Sequence, residues 1–210
     1  MTVAHVAFWH THIQPMIDAG YSIAGPGVDP TSIRADVGWN WYNNFGLIAL
    51  QNALAHIPGS SAGNGYGATI LLRNDAGPDV PIGMLTVVPK FRSLVAAELT
   101  ARTFAWFLAD APAEFYAELG TEPVLGVAKA LLDTAMQYGL ELGMDGSLLL
   151  HADPAGGQRL REFYSQKCNM ERLKAKEPAI SLLRRQHTDE YFYLDAIRAA
   201  KFRKQFDSRR

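Results

Sequence analysis

The segment VLGVAKALLDTAMQYGLELG, residues 124–143, decides how the chain is read. Val127, Leu131, Leu132, Ala135, Met136 and Leu140 recur at helical spacing, which predicts one long helix with Gly143 as its stop. RTFAWFLA at 102–109 reads as a strand ending before Pro112, and GSLLLHAD at 146–153 as a short apolar strand. Strand, helix and strand in this order predict a crossover unit whose last strand is parallel and buried. The helix opens at Gly126. Unpaired N–H groups at a helix start lie at the positive end of its dipole and suit a phosphate. Gly126 lets an anion approach closely, and the small Ala128 leaves the next turn uncrowded. Taken alone, the same residues serve equally well as helix entry and packing.

Upstream, ATILLRND at 68–75, the turn DAGPD at 75–79 and IGMLTVVP at 82–89 predict an antiparallel hairpin, and 92–101 reads as helix or loop. Residues 2–18 read as a helix interrupted near Pro15, 20–37 as loop, 39–56 as a second helix, and 59–67 as a flexible joint. Downstream come an amphipathic helix at 158–168, candidate strands in MERLK and EYFYLD, and a basic helix at 196–206. The chain therefore divides into a helical N-terminal extension, residues 1–65, packed on a core of residues 66–210. No internal repeat is visible.

Composition sets outer bounds. The 210 residues are 48% hydrophobic and 20% charged, as in an ordinary globular domain and unlike a disordered chain. A single cysteine, Cys168, excludes an internal disulfide framework, no run reaches the ~20 apolar residues of a membrane helix, and the N-terminus lacks a secretory signal. These features predict a cytoplasmic protein, monomer or homodimer, with no membrane partner. Residues 1–158 carry 6 Lys and Arg against 14 Asp and Glu, while 159–210 carry 14 against 7. An acidic front favours a cationic ligand, and a basic C-terminal helix is most simply a solvated face. The basic residues alternate with acids and form no recognition module, so nucleic acid is left out of the expected partners. His10 and His12 point to different faces of a helix, and no ligand set completes them, so no metal is expected.

The chain resembles the GCN5-related N-acetyltransferases (GNAT). VLGVAKALLDTA at 124–135 is similar to that family's diphosphate loop, Gln/Arg-x-x-Gly-x-Gly/Ala, which opens the helix after the fourth strand. REFYSQKCNM at 161–170 is similar to its FYxxxGM ending, and EYFYLD to the last strand of a subgroup. Together these cover residues 68–206. The resemblance implies an α/β (α+β) fold: a mixed, largely antiparallel sheet flanked by helices, here with an extended helical N-terminal region. It implies acetyl-CoA as acyl donor, an amine as acceptor, and direct transfer without a covalent intermediate on Cys168.

By the same resemblance Val124, Leu125, Gly126, Val127, Ala128 and Lys129 would hold the cofactor's diphosphate. Leu108, Ala109 and Asp110 would hold the acyl end, with an oxyanion donor among their backbone N–H groups. Tyr164 would protonate the departing thiolate. His151, Asp153 and Asp110 stand at predicted strand ends, where catalytic groups of α/β sheets collect, and are the candidates for the base; His151 serves as well as a structural residue, Asp153-Pro154 as a helix cap, and water as the proton's exit. The aromatics Trp9, Trp39, Trp41 and Tyr42 serve either core or acceptor pocket. Two positions depart from the family: Pro123 replaces the first loop residue, removing one side-chain donor, and Asn169 replaces a glycine whose left-handed backbone Asn also accepts. Pro123 leaves open a second reading, a non-catalytic acyl-CoA-binding module.

Overall fold

The computed structural model describes residues 1–58, 63–73, 77–95, 98–173 and 190–209. The joint read at 59–67 and the turn at 75–79 lie partly outside these residues. Helices α1 (Val3–Phe8) and α2 (Gln14–Gly20) are joined by a π-helical turn, Trp9–Ile13. Pro15 falls within the first turn of α2, where its missing N–H costs nothing, and the Gln14 N–H reaches back five residues to the Trp9 carbonyl. The helical run therefore passes Pro15 where the sequence suggested an interruption. A loop follows, then α3 (Trp41–Ala55), capped by the Asn40 side chain on the Asn43 N–H.

Strands β1 (Tyr66–Leu72), β2 (Val80–Val95) and β3 (Glu98–Asp110) form an antiparallel meander. Helices α4 (Ala113–Glu118) and α5 (Val127–Glu141) lead to β4 (Leu148–His151), which pairs parallel to β3. Helix α6 (Gly157–Glu162) runs into a second π turn, Phe163–Lys167. Strands β5 (Glu171–Arg172) and β6 (Tyr191–Leu194) and helix α7 (Ala196–Arg203) complete the described chain. The sheet order is β1-β2-β3-β4-β6-β5, antiparallel except at β3 and β4. The stretch 92–101, expected as helix or loop, instead extends the hairpin. Buried Ser93 accepts from buried Arg102 across it, so polar sequence there is satisfied within the sheet.

The core forms where α5 and the N-terminal helices lie on the sheet. Trp9, Ile13, Ile17 and Trp41 are fully buried in one cluster with Met84, Leu85, Leu131 and Met136. Helix α5 seats closely at two glycines. A Cβ on Gly83 would stand 2.6 Å from Val127, and one on Gly139 would strike the Thr103 hydroxyl, which is itself fully buried. Gly139→Ala is expected to cost about 1–3 kcal/mol through overpacking. Gly46→Ala, in open space on α3, should be neutral or stabilising. Thermal melts of the pair check this contrast.

Candidate active site

Beyond three residue pairs, β3 and β4 part. Thr103, Phe104 and Ala105 face Leu148, Leu149 and Leu150, while His151 pairs only with Tyr191 of β6. The divergence begins at a β-bulge. Phe107 opposes Thr86 and Ala105 opposes Val87, so Trp106 is the extra residue. The bulge is satisfied locally, because the Phe107 N–H donates to the hydroxyl of fully buried Thr86 at 3.1 Å. The wedge between the strands is a cavity of about 600 Å³. That is a size typical of small-molecule sites.

Seven of the catalytic and cofactor-binding candidates read from sequence border this one cavity: Leu108, Ala109, Asp110, Ala128, His151, Asp153 and Tyr164. The others differ in placement. Gly126 caps α5 in the left-handed region, φ 84°, with open space where a side chain would be. Leu125 is 83% exposed and Val124 is also exposed beside it, whereas the Val127 side chain turns into the core. Lys129 lies near enough to Cys168 for its charge to be felt there.

Tyr164 is buried, its ring 5.3 Å from that of Phe163 and 5.5 Å from Phe192, yet it borders the cavity. Burial raises its pKa well above 10, helped by the charges of Cys168, Asp110 and Asp36, so the phenol is held protonated. The Cys168 thiol is pushed up to about 12 by burial, against Lys129, and its thiolate is suppressed. His151 tilts on Tyr191 at 4.9 Å between ring centres. The Asp153 carboxylate accepts from the Ala155 N–H at 2.9 Å and caps the short 3-10 turn Pro154–Gly156. Asp153 is thus a cap that also borders the cavity.

The loop between α2 and α3 supplies a wall that sequence did not reveal. Arg34 grips Asp36 with two bonds of 2.9 and 2.8 Å, donates to the Asp110 carbonyl at 2.7 Å, and reaches its carboxylate at 3.5 Å. Buried Gln14 donates to the Asp36 carbonyl, and the Tyr21 ring covers the guanidinium at 5.2 Å. Burial alone would lower the Arg34 pKa, but the bond and charge of Asp36 reverse the sign and raise it. The Asp110 side chain is 45% accessible, but it stands deep in the cleft. Desolvation raises its pKa while Arg34 opposes. The loop is also tied to the far side: Ala24 N–H donates to the Ala155 carbonyl at 2.7 Å, and Arg159 to the Thr31 carbonyl. Only an Arg-x-Asp signal in a Gly/Pro-rich loop marked it, and that pattern is too common to single out.

Of the four aromatics left open by sequence, Trp9 and Trp41 are core, Trp39 borders the cavity, and exposed Tyr42 meets His10 at 5.2 Å. His12 stacks on Phe8 and bonds its carbonyl. No helix among the described residues is long and apolar enough to cross a membrane.

Sheet order, the parallel pair that splays, and the helix opened by Gly126 together define the architecture expected from sequence: a mixed, mostly antiparallel six-stranded sheet flanked by helices. No family model matches the chain, and no curated protein matches it in sequence. Among solved structures it is similar to the KacTA–DNA complex, at 10% identity and a TM-score of 0.46, over 90% of this chain and 96% of that one. It is also similar to a Tyr-to-Phe mutant of the AtaT toxin bound to the C-terminus of the antitoxin AtaR and acetyl-CoA, at 11% identity and a TM-score of 0.38, over 61% and 66%. The first of these corrects one expectation. Nucleic acid was left out of the partners because the basic residues alternate with acids, but a structure of similar fold is a complex with DNA, so that exclusion is withdrawn.

Proposed function

We infer that the chain is an acyl-CoA-dependent N-acyltransferase, with acetyl-CoA as the donor and a primary amine as the acceptor. The observation that carries this reading is the opening of β3 from β4 after Ala105 and Leu150, which leaves strand edges and Tyr164 facing one cavity, with Ala128 at its border next to the Gly126 cap of α5. The residues present suit a CoA. Gly126 presents bare backbone at the positive end of a 15-residue helix, and the open space around it admits a diphosphate. Pro123 contributes no side-chain donor, so the first turn of α5 would hold the diphosphate through its N–H groups alone.

The bound donor supplies a thioester, which an amine can attack directly. The protein's share is positional and electrostatic. The cavity holds amine and thioester together. Of the backbone N–H groups of Leu108 to Asp110, those turned away from β2 stand where β3 lacks β4 and would receive the carbonyl's developing charge. Tyr164 would give a proton to the departing sulfur, and Asp110 or His151 would receive one from the amine.

Acetyl-CoA at one hundred times its Kd is expected to stabilise the native chain by about 2.7 kcal/mol, a rise in Tm of roughly 5–10 °C. Gly126→Val should weaken that binding about tenfold, because a β-branched residue is strained at positive φ and fills the approach to the helix end. Differential scanning fluorimetry and titration calorimetry read both effects. An unchanged Tm in the unaltered protein would remove the donor assignment. Steady CoA release with an amine present separates an enzyme from a module that only binds.

A further inference from the structure

Among the charged groups of the cleft, Arg34, Asp36 and Asp110 form a device that an acyl-CoA site alone does not require. Asp36 is 5% exposed and engages two guanidinium nitrogens at 2.8 and 2.9 Å. That pair is locked further by Gln14 on the Asp36 carbonyl and by the Tyr21 face on the guanidinium. Asp110 receives from the same Arg34 a strong bond on its carbonyl, 2.7 Å, but only a long one, 3.5 Å, on its carboxylate. Its carboxylate is thus held in place and incompletely neutralised at the end of β3, where it borders the cavity.

The surroundings are aromatic. Trp39 meets Phe107 edge-on at 5.2 Å, Phe107 lies parallel to Trp106 at 5.9 Å, and Phe163 borders the same cavity. Faces of this kind attract a cation and cover a flat apolar body. Of the three acids that border the cavity, Asp36 is engaged by Arg34 and Asp153 caps the turn after β4. Asp110 is therefore the carboxylate offered beside the aromatic rings, and one such charge favours a monocation with an apolar group over an extended polycation.

We propose that the acceptor is an arylalkyl primary amine, whose ammonium is held by Asp110 while its ring lies against Trp39, Trp106 and Phe107, and that Arg34 is the residue that positions Asp110. This rests on the acyltransferase reading. In the transfer the ammonium first gives one proton to the Asp110 carboxylate, which releases it to solvent. The nitrogen then bonds the acyl carbon as the carbon–sulfur bond breaks. A second nitrogen-bound proton leaves to solvent, and the sulfur takes one from Tyr164, whose oxygen is reprotonated from solvent. The products are an amide, free CoA and one net proton.

The charged and titratable groups facing Asp110 are Arg34 and Asp36 from the loop, Tyr116 from α4, Arg159 from α6, and Tyr164 beyond it. His151 and Asp153 border the same cavity from β4 and the turn that follows it. Arg34 lowers the Asp110 pKa, so weakening their contact must raise it. Arg34→Lys keeps the charge that buried Asp36 needs, but loses the planar fork that serves four oxygens at once.

The full chain with acetyl-CoA is tested on phenethylamine, spermidine and a lysine-bearing peptide. Phenethylamine should exceed the other two at least tenfold in kcat/KM. Asp110→Asn, which keeps the backbone N–H, should lower kcat/KM for it about 100-fold and abolish the acid limb of its pH profile, with the Kd of acetyl-CoA measured beside it. Arg34→Lys should raise KM for the amine about tenfold and move the acid limb upward by roughly one pH unit, with Tm measured for each variant. Loss of acetyl-CoA binding in the unaltered protein overturns the acyltransferase reading and this inference with it. Retained acetyl-CoA binding overturns this inference alone under three results: no amine in the panel reacts, spermidine or the peptide is preferred, or Asp110→Asn keeps its rate and its acid limb.

Discussion

Replacing Tyr164 by phenylalanine is expected to lower kcat about 100-fold while leaving acetyl-CoA affinity within about twofold. The ring is fixed between Phe163 and Phe192, and the substitution keeps that packing, so only the hydroxyl is lost. General acids contribute about 10²- to 10⁴-fold. The lower end applies here, because burial raises the phenol's pKa above that of a thiol and makes the proton transfer uphill. The same shift fixes the pH dependence. A group titrating above 10 is fully protonated at pH 7–9, so the alkaline side of the rate profile should stay flat through that range on its account. Steady-state kinetics with calorimetry on the same preparation check both statements, and an unaltered kcat removes Tyr164 from the chemistry.

Sequence periodicity carried the fold where each element has one apolar face. Helix α5 was legible because Leu131, Leu132, Ala135 and Met136 all turn to the sheet, and β4 because Leu148, Leu149 and Leu150 are buried on both faces. Asn169, read as tolerating a left-handed backbone, has φ 55°. The extension of β2 and β3 through 92–101 was not legible, since its buried positions include Ser93 and Arg102, whose burial depends on bonds across the hairpin. Helix α4 was missed because its six residues, AEFYAE, are too few to establish a period.

The cavity follows the same division. Groups on α5, β4 and the segment after α6 were found because those elements were. Arg34 and Asp36 were not, because a loop has no period and their importance lies in a third group, Asp110, seventy-odd residues away. The bulge at Trp106 was also silent, since a register break depends on the partner strand as much as on its own.

Stability should fall on the alkaline side from about pH 9, with Cys168 responsible for the first part of the loss. The thiol is 1% exposed, and burial moves it from about 9 to about 12 in the folded chain. A group whose folded pKa is raised gives its full stabilisation below the unfolded value, and that contribution is lost as pH rises toward the folded one. Between pH 9 and 12 the unfolded chain ionises its thiol while the folded chain cannot, so the native state loses up to about 4 kcal/mol from this site. Tyr116, pushed up to about 12 by burial and then by Asp110, and Tyr164, raised by burial, together add a second loss that begins only near pH 10. Cys168→Ala removes the first contribution and leaves the second. Its level at pH 7 should drop by about 1 kcal/mol for the atom removed. The decisive quantity is the slope. Urea unfolding between pH 8.5 and 10 should be nearly flat in the variant and fall steadily in the parent. Equal slopes in the two proteins would mean that the thiolate is accommodated in the native chain, and Cys168 would then have to be reconsidered as a reactive group near Tyr164.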